Sequence, residues 1–132
     1  MKDKKFFLLI FFVAVSFSCF DNKNEISRTI EKLYVNNAYF DIGSINNTQS
    51  TIYNFVFKLE NIGDKKIILN NVEPSCNCLV LHDVPKYIPP HGNIVLRGYI
   101  NTKRQKGNLS KSIYVDFDDN KVMLLRVVGV VK

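Results

Sequence analysis

The sequence predicts an all-β domain, an immunoglobulin-like antiparallel β-sandwich of about seven strands. Three observations lead to this prediction. Apolar and polar side chains alternate along several short stretches, as they do in strands with one buried face. Turn-forming residues separate these stretches at intervals of about eight to fifteen residues. The content of Phe (10) and Tyr (6), with many Ile and Val, favours strands over helices. A β-barrel is the structural alternative.

The clearest predicted strand covers residues 51–60. Phe55, Phe57 and Leu59 fall on one face of it. Lys58 falls on the other face, so this strand is predicted to be half buried. The other predicted strands cover residues 34–42, 65–72, 79–81, 94–100, 109–117 and 122–131.

The length and net charge of the chain limit the functions it can have. A chain of 132 residues suits one domain that buries its own core. The net charge of +6 comes from scattered basic residues, so nucleic-acid binding is not predicted. The densest basic stretch is Lys103-Arg104-Gln105-Lys106, in a polar loop predicted over residues 101–108. We interpret it either as a solvated loop tip or as a contact to anionic lipid or polysaccharide.

Residues 1–18 are predicted to form a signal peptide. Basic residues precede an apolar run of about twelve residues, which is too short to span a membrane as a helix. The run ends Ser16-Phe17-Ser18-Cys19, which resembles the lipobox of bacterial lipoproteins. That resemblance implies cleavage before Cys19 and a lipid on its sulfur, which would anchor the chain in the bacterial cell envelope with the domain facing the periplasm or the exterior. An ordinary secretory signal with an incidental cysteine is the alternative.

A polar tether is predicted over residues 19–33, and the folded domain over residues 34–132. Within the tether, Ile26, Ile30 and Leu33 recur at helical spacing. This spacing indicates one or two helical turns before the first strand.

Several motifs occur in an order that resembles one family of exported bacterial proteins, the DUF1573 domain. The resemblance covers residues 38–131. It implies an immunoglobulin-like fold similar to ASH and major-sperm-protein domains, in a family without a settled activity. The chain departs from the family pattern at Asn77, where the family has glycine, and at His91, an extra residue between proline and glycine. The matching residues are Phe55-Val56-Phe57, Asn61-Ile62-Gly63, Ile67-Ile68-Leu69, Cys76-Asn77-Cys78 and Pro90-His91-Gly92.

Cys76 and Cys78 lie one residue apart, directly after Pro74-Ser75. Asn and Gly adopt left-handed backbone conformations most readily, so Asn77 predicts a tight turn between the cysteines. In a flat strand, residues two apart are separated by about 6.5–7 Å, the upper limit for a disulfide. A turn brings them closer. The favoured interpretation is therefore a local disulfide formed in an oxidising compartment.

Three other interpretations of this pair stay open. The cysteines suit a soft-metal site for copper(I) or zinc, with His82 or His91 as a further ligand. They suit thiol–disulfide exchange, although the usual Cys-x-x-Cys at a helix N-terminus is missing from the sequence. They also suit two reduced cysteines that pack as small apolar groups.

No catalytic set of residues and no cofactor are predicted. The sequence predicts a non-enzymatic binding or structural module of the cell envelope, held at a membrane by lipid on Cys19. Its partner is predicted to be an envelope protein or glycan, contacted through loops or sheet edges. The alternative function is a redox-active or soft-metal-handling protein that uses Cys76 and Cys78.

Overall fold

The structure, a computed structural model, describes residues 27–132. The predicted signal peptide, its lipidation site Cys19 and the first part of the predicted tether lie outside the described residues. The domain has two five-stranded sheets, ordered β1-β2-β4-β8-β6 and β3-β10-β9-β5-β7. The strands are β1 (Arg28–Ile30), β2 (Leu33–Val35), β3 (Tyr39–Ile45), β4 (Ile52–Asn61), β5 (Ile67–Pro74), β6 (Leu79–His82), β7 (Tyr87–Ile88), β8 (Asn93–Asn101), β9 (Gly107–Phe117) and β10 (Lys121–Val131).

Strand β4 shows why alternating sequence gives this architecture. Phe55, Phe57 and Leu59 are at most 2% exposed, whereas Val56 is 48% exposed. Period-two alternation places one set of side chains between the sheets and the other in solvent. Strand β9 repeats the pattern with a buried row that ends at Phe117. The predicted β-sandwich is thus confirmed.

The core lies between the inner faces of the two sheets. It is built from large side chains with less than 2% exposure, and each contributes about 1.5–3 kcal/mol to the free energy of folding. Such a core makes a well-packed scaffold for the loops at either end of the sandwich. Its largest members are Phe117, Leu33, Leu59, Ile88, Leu96, Ile100, Ile113, Met123 and Leu125.

The motif Asn61-Ile62-Gly63 stabilises the turn after β4. Asn61 is 1% exposed, and its side-chain Nδ2 donates to the backbone oxygens of Lys65 at 2.7 Å and Ile88 at 3.1 Å. Its Oδ1 accepts from the backbone N–H of Gly63 at 2.9 Å. One buried amide therefore fixes the turn after β4 and ties it to β7, because each polar atom it buries has a partner.

The helical turns predicted around residues 26–33 are wrong within the described residues. Strands β1 and β2 form a hairpin there, in which Ile30 pairs with Leu33. The backbone of Glu31 takes a positive φ of 53° at the turn. Leu33 is fully buried and its strand pairs with β4, so tertiary packing overrides the local helical spacing. The folded domain consequently includes residues 28–33, which the sequence predicts as part of the tether.

The predicted first strand over residues 34–42 is two strands in different sheets. Strand β2 pairs with β4, whereas β3 runs parallel to β10 in the other sheet. Asn37 marks the crossing, where its Oδ1 accepts from the backbone N–H of Tyr39 at 3.0 Å. Gly43, the residue after the predicted strand, has a φ of 79° and lies inside β3, beside a register shift at Val128/Val130. With β1 and β7 added, ten strands replace the predicted seven.

The terminal strands of both sheets are short or irregular. In the first sheet the edge strands are β1, with three residues, and β6, with four. In the second sheet they are β7, with two residues, and β3, whose pairing is bent by the irregularity beside Gly43. Short or bulged edges disfavour addition of a further strand. Residues 52–58 of β4, however, pair with β8 and not with β2, so this sheet exposes one side of β4 there.

Candidate functional site

The cysteine pair sits on a tight turn where the chain crosses from β5 to β6. Cys76 and Cys78 form a disulfide, and their Cα atoms are 5.2 Å apart. The backbone N–H of Leu79 donates to the carbonyl of Cys76 at 3.3 Å and closes the turn. This separation is below the 6.5–7 Å of a flat strand, so the predicted turn and the predicted local bridge are confirmed together.

Asn77 forms the turn without the left-handed backbone that its residue type allowed. Among the described residues, the non-glycine positions with positive φ do not include it. The turn is instead held by the disulfide and by the Cys76–Leu79 hydrogen bond. Asn77 is exposed at the tip. Its side chain is therefore free to contact a partner. The positive-φ residues are Glu31, Asp83, His91, Asp118 and Asn120.

The turn is fixed on both sides. Before it, the backbone N–H of Ser75 donates to the carbonyl of Ser112 at 2.8 Å, and the N–H of Ser112 donates to Ser75 Oγ at 3.0 Å. After it, the N–H of Asn101 donates to the carbonyl of Cys78 at 2.8 Å. This last bond extends the pairing of β6 with β8 by one residue. It places the disulfide beside Asn101, directly before the basic loop, residues 102–106.

Hydrogen bonds hold the basic loop in place. Thr102 is fully buried, and its Oγ1 donates to Asn47 Oδ1 at 2.7 Å. Asn47 Nδ2 donates in turn to the carbonyls of Thr102 at 2.8 Å and Gln105 at 3.2 Å. The N–H of Gln105 donates to the carbonyl of Thr102 at 2.9 Å, and the N–H of Thr102 donates to the carbonyl of Thr51 at 2.7 Å. The loop is thus a hydrogen-bonded turn on a polar anchor.

A cleft of about 460 Å³ separates the disulfide turn from the basic loop. The three residues of the turn form one wall. Lys103, Arg104 and Gln105 form the other, with Asn101 between them. The cleft offers amide groups, two cationic side chains and a closed disulfide, which is an arrangement suited to binding an anionic group by hydrogen bonds and charge.

A second concavity of about 370 Å³ lies on the other side of the same loop. It is lined by residues 46–48, by the basic loop and by Lys132. We call the loops 46–50, 75–78 and 102–106, together with Lys132, the disulfide end of the sandwich. The sequence of these segments contains Lys103, Arg104, Lys106 and Lys132 and no Asp or Glu.

The opposite end comprises the turns at residues 31–32, 62–66, 89–92 and 118–121, and its charges are balanced. Lys121 Nζ lies 2.9 Å from Glu31 Oε2, and this hydrogen bond raises the pKa of the Lys121 ammonium. His91 Nε2 lies 2.8 Å from Asp64 Oδ1. Within residues 27–132, none of the four cations of the disulfide end has such an acidic partner.

The structure does not gather the residues considered for metal binding. His91 lies at the opposite end against Asp64, and the ring of His82 packs on Tyr99 with centroids 5.6 Å apart. In the part of the chain that the structure describes, no group of three His, Cys, Asp or Glu side chains is arranged to hold a metal ion. The same residues include no helix long and apolar enough to cross a membrane.

Sequence reasoning identified the cysteine pair and the basic loop separately but missed that they face each other. It also missed Asn47 and Thr102. The buried threonine at the base of a polar loop carries no sequence pattern that marks it, since Thr is common in exposed loops. Only the pairing of β6 with β8 brings residues 76–78 to residues 101–105.

The two sheets and their connections define an immunoglobulin-like β-sandwich of the kind found in major-sperm-protein and ASH/PapD-like domains. The chain belongs to the DUF1573 family, "Protein of unknown function (DUF1573)", whose family model matches residues 33–131. The predicted family is confirmed.

Comparison with solved structures supports the fold. A protein of unknown function from Porphyromonas gingivalis W83 is similar with a TM-score of 0.60 and 17% identity, over 70% of this chain and 44% of that one. The seventh PapD-like domain of human CEP192 is similar with a TM-score of 0.59 and 11% identity, over 81% and 95% of the chains. SSP-19 of Caenorhabditis elegans, an MSP-domain protein, gives a TM-score of 0.56 and 12% identity, over 73% and 97%. A search of curated proteins found no match.

Proposed function

We propose that this chain is a lipid-anchored protein of the bacterial cell envelope whose domain is a non-enzymatic binding module, with the disulfide end as its binding surface. One observation carries the proposal. The disulfide turn and the basic loop, which are distant in sequence, close around one cleft, and each is fixed in place by hydrogen bonds. Preorganised polar groups bind a ligand with little loss of conformational entropy.

The chemistry of the cleft supports binding. In a disulfide, neither Cys76 nor Cys78 is a nucleophilic thiolate. The neighbouring asparagines offer amide hydrogen bonds, and Lys103 and Arg104 offer charge-assisted ones.

The surface is tested by photo-crosslinking in cells that produce the full chain. A photoreactive residue replaces Asn77 in one variant and Asp119 in a control; both positions are exposed, at the two ends of the sandwich. We expect adducts from position 77 and few from position 119. Equal labelling from both positions, or labelling from position 119 alone, contradicts the assignment of the binding surface.

Anchoring rests on the apolar run followed by Cys19. Cys19→Ala removes the sulfur that would carry the lipid, so the chain should leave the membrane fraction. Ser18→Ala keeps a small residue before the cysteine and is the matched control, which should remain in that fraction. A Cys19→Ala chain that stays with membranes after washing at high salt contradicts the anchor.

A second candidate function is thiol–disulfide exchange, and the position of the disulfide in an open cleft favours it. A partner dithiol would supply two electrons and two protons, giving the thiols of Cys76 and Cys78 and a disulfide in the partner. If the pair exchanges, Cys78→Ser leaves one reactive thiol that should trap partners as mixed disulfides. A binding module whose bridge is structural should trap none, so the same experiment separates the two functions.

A further inference from the structure

Charge divides the sandwich into two unlike ends. The loops of the disulfide end and Lys132 carry four basic side chains and no Asp or Glu. The turns of the opposite end carry four basic and four acidic residues, two of them already in contact across strands as Lys121 and Glu31. The disulfide end therefore attracts anions, whereas the opposite end is electrostatically near neutral.

The positive charges of the disulfide end lie on both sides of one loop. The cleft beside the disulfide contains Lys103 and Arg104, and the second concavity contains Lys106 and Lys132 as well. No Asp or Glu lines either concavity. Since the Asn47–Thr102 anchor holds the loop, the charges project from a fixed surface. Such a surface matches an extended array of negative groups.

The strand register shows that this surface is within reach of the predicted anchor. Arg28 pairs with Val35, and Val35 pairs with Leu59 of β4. From Leu59 to Ile52, where β4 meets the disulfide end, the sheet extends about 24 Å at roughly 3.4 Å per residue. Cys19 precedes Arg28 by nine residues, which span about 30 Å when extended. Strand β1 runs away from the disulfide end, so its first residue, Arg28, is the one nearest to that end.

We propose that the disulfide end docks on the anionic phospholipid surface of the membrane to which Cys19 tethers the chain. The inference rests on the proposed function, because it names the partner of the same surface. The tether is long enough for either end of the sandwich to meet the membrane, and charge selects the disulfide end. Lipid phosphates would be held by Lys103 and Arg104 at the mouth of the cleft and by Lys106 and Lys132 beside it.

The size of the effect follows from the charge. Each Lys or Arg near an anionic surface strengthens binding about five-fold. Because the anchor confines the domain near the lipid, a modest intrinsic affinity suffices to keep it docked. Removing three of the four charges should lower the docking equilibrium roughly 100-fold. Salt should weaken docking as well, since the charges are exposed and screened.

The test uses the full-length mature chain, extracted from membranes and reconstituted into nanodiscs of phosphatidylcholine with or without phosphatidylglycerol. Hydrogen exchange is followed in segments 101–106 and 75–79. Both segments already contain hydrogen-bonded amides, so we expect their exchange to be slower in the anionic nanodiscs at low salt than in the neutral ones. The variant Lys103→Gln/Arg104→Gln/Lys106→Gln should lose the protection.

The matched control, Lys32→Gln/Lys65→Gln/Lys66→Gln, removes the same charge from the opposite end and should dock like the wild type. Equal loss in both triple variants would overturn the proposal, as would equal protection on neutral lipid. A chain that leaves the nanodiscs at high salt contradicts the anchor of the proposed function. A chain that stays in them while segment 101–106 exchanges at the same rate on anionic and neutral lipid contradicts docking alone. Crosslinks from position 77 to protein without lipid do the same.

Discussion

Asn47→Ala tests whether one side chain holds the basic loop in place. The Asn47 amide takes part in three hydrogen bonds, to Thr102 Oγ1 and to the carbonyls of Thr102 and Gln105. Thr102 is fully buried, so its hydroxyl must then turn to the carbonyl of Thr51, at the longer distance of 3.3 Å. Truncating Asn47 therefore removes bonds that water replaces poorly.

The expected cost follows from these contacts. A net hydrogen bond contributes about 0.5–1.5 kcal/mol, and the Gln105 carbonyl is partly open to water. We expect the free energy of unfolding to fall by about 2 kcal/mol. For a domain of about 100 residues this lowers Tm by roughly 9 °C. Locally, protection of the Gln105 amide should drop about 30-fold, because opening of the loop becomes easier by a similar free energy.

The assays are thermal unfolding followed by circular dichroism and hydrogen exchange of the Gln105 amide. Asn108→Ala is the matched control, since Asn108 is exposed at the same end and makes no side-chain hydrogen bond within residues 27–132. Its free energy of unfolding should change by less than about 0.5 kcal/mol. If Asn47→Ala changes stability and Gln105 protection no more than Asn108→Ala does, the proposed anchoring of the loop is wrong.

The remaining predictions concern the scaffold. Replacing both cysteines, as Cys76→Ser/Cys78→Ser, should lower the free energy of unfolding by at most about 1.5 kcal/mol, because the bridge closes a very short loop. Urea unfolding measures this change, and a loss above about 3 kcal/mol would refute the estimate from loop-closure entropy. Gly98→Ala should cost about 3 kcal/mol, because its Cβ would overlap the carbonyl oxygen of Val80; an unchanged Tm would show that β6 does not pack there. Asn61→Ala should cost about 3 kcal/mol by leaving buried backbone groups without partners, and a change as small as that of an exposed Asn would contradict this role.

The sequence predicts well what depends on local periodicity. The buried row of β4, with Phe55, Phe57 and Leu59, follows directly from alternation, and so does the burial of Phe117 in β9. The sandwich could be predicted because so many half-buried strands must pack face to face. The disulfide of Cys76 and Cys78 could also be predicted, since residues so close in the chain can meet only in a turn.

The β1–β2 hairpin shows where local reasoning fails. Ile30 and Leu33 pair directly across a two-residue turn. Residues three apart are neighbours both on a helix face and across such a turn, so their spacing fits either structure. Pairing of β2 with β4 decides between them, and that pairing is a long-range contact.

The candidate site could not be predicted from the sequence for the same reason. Cys78 and Asn101 are adjacent because β6 pairs with β8 at the edge of a sheet, and single-sequence patterns do not determine which strands pair. The sequence therefore indicates either a solvated loop tip or a contact to anionic lipid or polysaccharide, without showing what lies beside the loop. The structure places the loop against the disulfide turn, as one wall of a cleft.

The orientation of the domain on the proposed anchoring membrane tests the account most directly. The chain is reconstituted in anionic nanodiscs that contain a lipid with a paramagnetic headgroup. Line broadening in NMR spectra then measures how close each backbone amide lies to the membrane surface. The account predicts the strongest broadening at residues 102–106 and at Asn77, and the weakest at residues 62–66 and 118–120. Broadening that is uniform across the domain, or strongest at residues 62–66 and 118–120, would contradict it.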